Sequence, residues 1–514
     1  MLRKKNYVYG AEVAYLPHHL HFGQYMLEKC KLYMDEIALL DAATGAQVTY
    51  GEVAEVAAGV ALSLAGMGLG RGDVVSVCSE KRSEFIPTMI GIMCSGATFM
   101  PADVSCMNDS ILHRLSNPEP RVIFCSPSVY KVHKKTFKLV NNLASTVVYG
   151  DSVVEDAILF KDFVTKHVNL EDFIPMPVTG WSDLAVILYS SGTTGLPKGA
   201  KFTHLSFLMC FQHGLAAKNL VGARMFSTRD WYYTYGLKHT IGTLMVGATV
   251  VFTTSDDVKD ILRIIQEYKR NPSAAHHGER DGENESRRVR RQLTHVHDVY
   301  QHAYRCRTVK RCDEEIYGMT EAGCLTDDLN SAMGPKAGSV GCANPGVVIK
   351  IVDLKTRQPL GANEIGELCF KSLSLMSGYV GETTRDYLDE EGFFKSGDVG
   401  YYDEDRYFYI VDRLKDLIKY RGATVSPAEV EAALLRHPAV KDAGVVGMPH
   451  PDHCEVPAAF VVAQPGAAVT ERDLVAFIGQ QLSTIKMEGG IRFLKQLPRG
   501  ATSKLSKKSL REML

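Results

Sequence analysis

The 514 residues are too many for one ordinary core and imply two or more domains. Hydrophobic residues at 45% and charged residues at 23% are the proportions of a globular soluble chain, and a net charge of -1 gives no global reason to bind nucleic acid or an anionic membrane. The twelve cysteines are scattered without a Cys-x-x-Cys pair, which argues for reduced thiols and against a disulfide framework.

The first residues, Met1-Leu2-Arg3-Lys4-Lys5, are basic but lack the apolar stretch of a secretory signal. From 48 to about 130, helical and strand-like patterns alternate. Residues 50–58 open a helix, 73–78 make a buried strand and 121–125 another. The apolar run 85–100 is interrupted by Pro87 and rich in Gly and Ser, so it is expected to be a helix-to-strand unit rather than a membrane span. Such alternation implies parallel sheets with helices on their faces. A further buried strand, 184–188, leads into Tyr189-Ser190-Ser191-Gly192-Thr193-Thr194-Gly195-Leu196-Pro197-Lys198-Gly199. Glycines let backbone N–H groups approach an anion, hydroxyls donate to phosphate oxygens, and lysine adds a compact positive charge. The string has the chemistry of a polyphosphate loop without the Walker spacing. Residues 200–204 can lead into a helix, 246–252 form a strand, and 257–269 an amphipathic helix with Val258, Ile261, Leu262 and Ile265 on one face.

Between 270 and 312 the pattern stops. The stretch is polar and basic, and no strand can be drawn through it. Arg287, Arg288, Arg290 and Arg291 suit a solvated run better than a nucleic-acid site. His295, His297, His302, Cys306 and Cys312 fit no zinc-finger spacing. The composition fits a disordered or wrongly joined segment best. Order returns with Tyr317-Gly318-Met319-Thr320-Glu321. Short strands follow at 347–352 and 366–370, between closely spaced glycines, as in an antiparallel barrel-like unit. The run 403–412 alternates as a hairpin arm. A compact unit begins near 412, with a helix at 427–435 started by Pro427 and capped by Ser426, strands at 440–446 and 458–462, and a helix at 471–482.

The phosphate-type loop, Tyr317 to Glu321, Ser396-Gly397-Asp398, Asp412 to Gly422 and Pro498 to Leu505 occur in one order. Together they resemble the acyl-adenylate-forming enzymes: acyl-CoA synthetases, 4-coumarate–CoA ligases and beetle luciferases. The resemblance runs from about residue 30 to 512 and fails only at 270–312, where relatives carry a strand, a helix and a Gly-Ala-rich turn. Small departures are Ser503 and Ser372, each where relatives have Gly.

The resemblance implies an α/β fold, with a large N-terminal body (1–411) of two α/β subdomains plus a small β-barrel, and a smaller mobile α+β C-terminal domain (412–514). It implies ATP and Mg2+ as cofactors, CoA as co-substrate and a small carboxylic acid as partner, in fatty acid or phenylpropanoid metabolism. Ser190, Ser191, Gly192, Thr193, Thr194, Gly195 and Lys198 would clamp the triphosphate. Tyr317 would stack on adenine, Thr320 donate to phosphate, Glu321 hold magnesium, Asp398 accept the ribose hydroxyls, and Arg413 make a second nucleotide contact. Lys504 would complete the adenylation site, and Lys419 would replace it for thioester formation after rotation about Lys415. The aromatic cluster 231–237 lies where relatives wall the acyl pocket, yet suits a core patch equally. The function implied is acid–CoA ligation. The alternatives are a luciferase-like monooxygenase and a degenerate, non-catalytic nucleotide binder. No nucleic acid and no membrane insertion are expected. The compartment expected is the cytoplasm; Ser503-Lys504-Leu505 spells a peroxisomal signal but does not end the chain. Because 270–312 lacks the apolar residues of a sheet cover, turnover is expected to be impaired.

Overall fold

The computed structural model describes residues 4–13, 21–104, 108–151, 155–190, 197–211, 220–227, 229–255, 257–268, 316–328, 334–421, 423–482, 485–499 and 505–514. The segment 270–312 lies outside them.

The alternation read at 48–130 builds an eight-stranded sheet. Its order is Gly378–Tyr379, Lys198–Thr203, Leu184–Ser190, Thr98–Pro101, Val74–Cys78, Val122–Cys125, Ser145–Val148 and Ile158–Leu159. From Leu184–Ser190 onward the neighbours are parallel. Val74–Cys78 is buried along its whole length, as a strand covered on both faces must be. Helix Phe85–Cys94 packs on this sheet, and helix Tyr50–Gly66 packs against that helix. A Cβ on Gly91 would stand 2.5 Å from the Ala57 carbonyl oxygen, so glycine sets their close approach. Every residue of Phe85–Cys94 is buried, and Pro87 is tolerated in the first turn. No helix among the described residues is long and apolar enough to cross a membrane.

Residues 200–204 lead into a helix as the sequence reading expects, but by way of a strand. Lys198–Thr203 is a strand antiparallel to Leu184–Ser190, and the helix begins only at His204, with Thr203 capping it. Pairing with Leu184–Ser190 on one side and Gly378–Tyr379 on the other holds 198–203 extended until the Thr203 cap permits the turn.

The second sheet runs Arg224–Ser227, Thr249–Phe252, Ile37–Asp41 and Gln47–Thr49, the first three parallel. Helix Thr234–Met245 makes the crossover from Arg224–Ser227 to Thr249–Phe252. In helix Val258–Tyr268 the most buried residues are Ile261 and Ile264, with Leu262 and Ile265 half-buried. The stripe therefore centres on Ile261 and Ile264, of which the sequence reading named only the first.

The antiparallel unit is a five-stranded sheet ordered Val8–Tyr9, Val348–Val352, Gly366–Lys371, Phe394–Tyr402 and Phe408–Arg413. Beside it is a three-stranded sheet of Ile316–Met319, Gly323–Asp327 and Cys342–Ala343. The smaller C-terminal domain has its own sheet, ordered Ala423–Val425, Ile418–Tyr420, Cys454–Ala463 and Val440–His450, with Ile491–Phe493 parallel to Cys454–Ala463. Its apolar core is made by Ile418, Val430, Leu434, Val445, Val461, Leu474 and Ile478. Ser426 caps helix Pro427–Leu435, as its position before Pro427 implies.

Candidate active site

Strands Phe394–Tyr402 and Phe408–Arg413 are antiparallel neighbours, and their register sets Asp398 opposite Arg413. Arg413 Nε lies 2.6 Å from Asp398 Oδ1, and the Tyr317 hydroxyl donates to Asp398 Oδ2 at 2.6 Å. Three residues that the sequence marks in separate motifs thus form one bonded cluster. The Asp398 amide donates to Ser396 Oγ at 2.9 Å, and Ser396 Oγ donates to the Leu368 carbonyl at 2.7 Å, which fixes the carboxylate's backbone. Burial first, and then the Asp398 charge, hold the Tyr317 phenol well above its ordinary value, so it remains a donor. Gly397 has φ 69°, and among the described residues nothing lies within 4 Å of the place a Cβ would take. Glycine is needed there for the backbone conformation, and the face beside Asp398 stays open.

On the phosphate side, the hairpin of Leu184–Ser190 and Lys198–Thr203 pairs Ser190 with Lys198. Ser190 Oγ donates to the Lys198 carbonyl at 3.4 Å. The intervening candidates Ser191, Gly192, Thr193, Thr194 and Gly195 lie outside the described residues. Lys198 Nζ is 2.7 Å from Glu382 Oε1 and 5.1 Å from the centroid of the Tyr379 ring. The Tyr379 hydroxyl donates to Glu321 Oε1 at 2.8 Å, so one tyrosine lies between the phosphate-loop lysine and the candidate magnesium carboxylate. Strand pairing explains the meeting: Gly378–Tyr379 is the neighbour of Lys198–Thr203, with Tyr379 opposite Ala200. The Met376 amide donates to the Glu321 carbonyl at 2.8 Å, fixing the 320–323 turn beside that strand. Thr320 Oγ1 accepts from Thr234 Oγ1 at 3.4 Å. Tyr379 and Glu382 escaped the sequence reading, since no motif marks them, whereas Thr234 lies in the 231–237 stretch that it singled out.

Glu321 suits magnesium in one respect. Its Oε1 is held by Tyr379, and no other side-chain bond occupies the carboxylate among the described residues. No group of three His, Cys, Asp or Glu that could hold a metal occurs there either. A single oriented carboxylate is what Mg2+ needs when substrate phosphates and water complete its shell.

The C-terminal residues sit around Asp412. Asp412 Oδ2 accepts from Ser426 Oγ at 2.8 Å and the Ala428 amide at 3.0 Å, and Lys507 Nζ lies 3.6 Å from Oδ1. Arg413 thus bonds toward Asp398 and Tyr317, and Asp412 toward the following helix, within one strand. The boundary expected at 411–412 falls between residues of that strand. Lys415 lies in the 3-10 turn Leu414–Asp416, and burial lowers its pKa. Asp416 pairs with Arg511 at 2.9 Å. Lys419 is exposed on Ile418–Tyr420, its amide donating to Glu455 Oε2 at 2.9 Å. Lys504 lies outside the described residues.

The aromatic cluster divides. Trp231 is fully buried, tilted against Phe252 at 5.0 Å and edge-on to Phe85 at 5.7 Å between centroids, so it is core. The Tyr233 hydroxyl donates to Asp103 Oδ2 at 2.9 Å. Thr234 of this stretch bonds to a candidate site residue, Thr320.

A family model described as AMP-binding enzyme matches residues 27–380, and one described as AMP-binding enzyme C-terminal domain matches 429–504. Luciferin 4-monooxygenase of Luciola mingrelica is 32% identical over 100% of this chain and 98% of its own length. That alignment spans 556 positions, so the relative carries residues without a counterpart here. 4-Coumarate–CoA ligase 3 of Arabidopsis thaliana is 28% identical over 97% of this chain and 92% of its own. Among solved structures, ATP-bound MatB from Rhodopseudomonas palustris superposes with a TM-score of 0.80 at 25% identity, covering 96% of this chain and 98% of that one. With a matched fold, both family models in sequence and full-length relatives, the chain belongs to the AMP-binding enzyme family.

Proposed function

We propose that this chain activates a carboxylic acid with ATP and passes the acyl group to CoA. A carboxylate oxygen attacks the α-phosphorus of ATP, the bond to pyrophosphate breaks, and an acyl-AMP forms. The thiol of CoA then attacks the acyl carbon, and AMP leaves with the bonding pair. The observation that carries the reading is the Tyr317–Asp398–Arg413 cluster. A buried carboxylate with an open face suits the two ribose hydroxyls, and a tyrosine tethered through its hydroxyl keeps its ring fixed for stacking on adenine. Lys198, Ser190 and the loop residues Ser191, Gly192, Thr193, Thr194 and Gly195 then take the triphosphate. The Lys198–Glu382 pair is half-exposed and of small worth, ~0–1 kcal/mol, so trading Glu382 for a phosphate costs little. Thr320 donates to phosphate and Glu321 would hold Mg2+, which when bound neutralises phosphate charge. Lys504 serves adenylation and Lys419 the transfer to CoA.

The similarity to 4-coumarate–CoA ligases supports ligation. The similarity to luciferin 4-monooxygenases favours a second reading, an oxygenase acting on the same adenylate. A panel of carboxylic acids in pyrophosphate–ATP exchange tests the first. Low exchange that depends on one acid class is expected, rising when 270–312 is replaced by the corresponding segment of an active relative. Absence of acid-dependent exchange in both chains contradicts it.

A further inference from the structure

Lys238 lies one turn beyond Thr234 on helix Thr234–Met245, on the face that reaches Thr320. It is half-buried, and its ammonium stands in the space a Cβ on Gly323 would fill. Gly323 is buried at φ 74° and follows Thr320-Glu321-Ala322 directly, so the ammonium sits beside the turn that carries two candidate site residues. Cys210 Sγ lies 3.4 Å from that same Cβ position, and the Phe211 ring centroid is 6.0 Å from Lys238 Nζ. The charge also acts on the Cys210 and Cys324 thiols, opposing the rise that burial gives each. Among the described residues Nζ has no carboxylate and no hydrogen-bond acceptor. Lys198, Lys336 and Lys350 each have a carboxylate within 2.7 Å.

A half-buried cation between thiols, an aromatic ring and a glycine has no carboxylate to answer it among the described residues, and an anion arriving there gains more than it would at the surface. The phosphates have Lys198 and its hairpin, next to Tyr379. Lys238 approaches the same turn from the helix, where its surroundings are sulfur and aromatic carbon. We propose that Lys238 determines specificity by receiving a second carboxylate of the acid substrate, so that the chain selects dicarboxylic acids over monocarboxylic acids of equal length. The proposal rests on the acid-activating reading and narrows its substrate class. It assigns Lys238 to recognition and no bond-making step.

Titration calorimetry tests it with the full chain, comparing C4 to C8 dicarboxylic acids with their monocarboxylic counterparts, each with AMP present. Wild type is expected to bind at least one diacid about 10- to 100-fold more tightly than the matched monoacid, the range of one charge-assisted contact. Lys238→Met, a good helix former, is expected to erase that preference while leaving ATP affinity and thermal midpoint unchanged; Lys238→Arg is expected to keep part of it. The proposal is overturned if no diacid outbinds its monoacid, if the preference survives in Lys238→Met, or if that variant loses ATP affinity, which would assign the ammonium to phosphate. Monoacid-dependent exchange without diacid preference overturns this inference and leaves the acid-activating reading intact. Absence of both acid binding and exchange overturns both.

Discussion

Asp398 is where the nucleotide assignment is most exposed to test. Its carboxylate accepts from Tyr317 and Arg413, and Asp398→Ala would strand both donors as well as the two ribose hydroxyls. Losing charge-assisted bonds of ~1.5–3 kcal/mol predicts ATP binding weakened about 10- to 100-fold by calorimetry. An unchanged ATP dissociation constant in a folded variant contradicts the assignment. The Ser396-Gly397-Asp398 motif was legible in the sequence, and so was Arg413 through resemblance. Their union with Tyr317 was not, because a hydrogen bond spanning 81 residues is set by sheet packing and leaves no local pattern. A second residue-scale feature had no sequence signal at all. The His21 and His204 rings lie 4.6 Å apart, and each Nδ1 accepts a backbone N–H, from Gln24 and Phe22 respectively. Burial lowers His21 to about 4; burial and then His21 lower His204 to about 3, against an opposing pull from Asp183. The folded state therefore refuses protons that the unfolded chain accepts below its ordinary pKa of about 6.5. The stability these groups contribute is full above that pH and is lost as pH falls toward the folded values. His204→Gln, which keeps an acceptor, should flatten the stability–pH slope between 6 and 4 by about 1.4 kcal/mol per pH unit. Parallel wild-type and variant curves in urea titrations would contradict this.

At the scale of elements, alternation of strands and helices was readable because Val74–Cys78, Val122–Cys125 and Leu184–Ser190 are short apolar runs. What escaped was long-range pairing. The pairing of 198–203 with 184–190 makes a strand where the local residues allow a helix, and the partner strand Gly378–Tyr379 carries an unmarked site tyrosine. Trp231 shows the opposite limit: its place in the core between Phe85 and Phe252 could not be separated from a pocket wall by composition alone. Strand Phe408–Arg413 and the turn Leu414–Asp416 bear on the proposed change of pose. Arg413 holds the body through Asp398, while Asp412 and Asp416 hold the C-terminal helices through Ser426 and Arg511. Rotation at Lys415 would carry the Asp416–Arg511 pair as a unit and would part Asp412 from Ser426, which lie on opposite sides of it. Lys504→Ala is then expected to suppress acyl-AMP formation while sparing transfer from supplied acyl-AMP to CoA, and Lys419→Ala the reverse. Equal loss of both half-reactions in both folded variants, measured separately, contradicts the two-pose mechanism.

For the whole molecule, the order of motifs along the chain announced the family, and the fold and family models agree with it across both domains. The acid itself was not legible, since a pocket is assembled from distant elements. Thr234 and Lys238 come from one helix, Gly323 from a turn 85 positions after Lys238, and Cys210 from the end of another helix. Segment 270–312 lacks the aliphatic runs of its flanks, and low turnover is expected from it. The most direct test of the central claim is acyl-CoA formation from ATP, acid and CoA, followed by mass in the wild-type chain and in one carrying a relative's segment at 270–312. The account predicts acyl-CoA in both, with pyrophosphate and AMP released one for one and a higher rate in the replaced chain. ATP bound at Asp398 with no acyl-CoA from either chain, or light and oxygen uptake with a luciferin in its place, would contradict it.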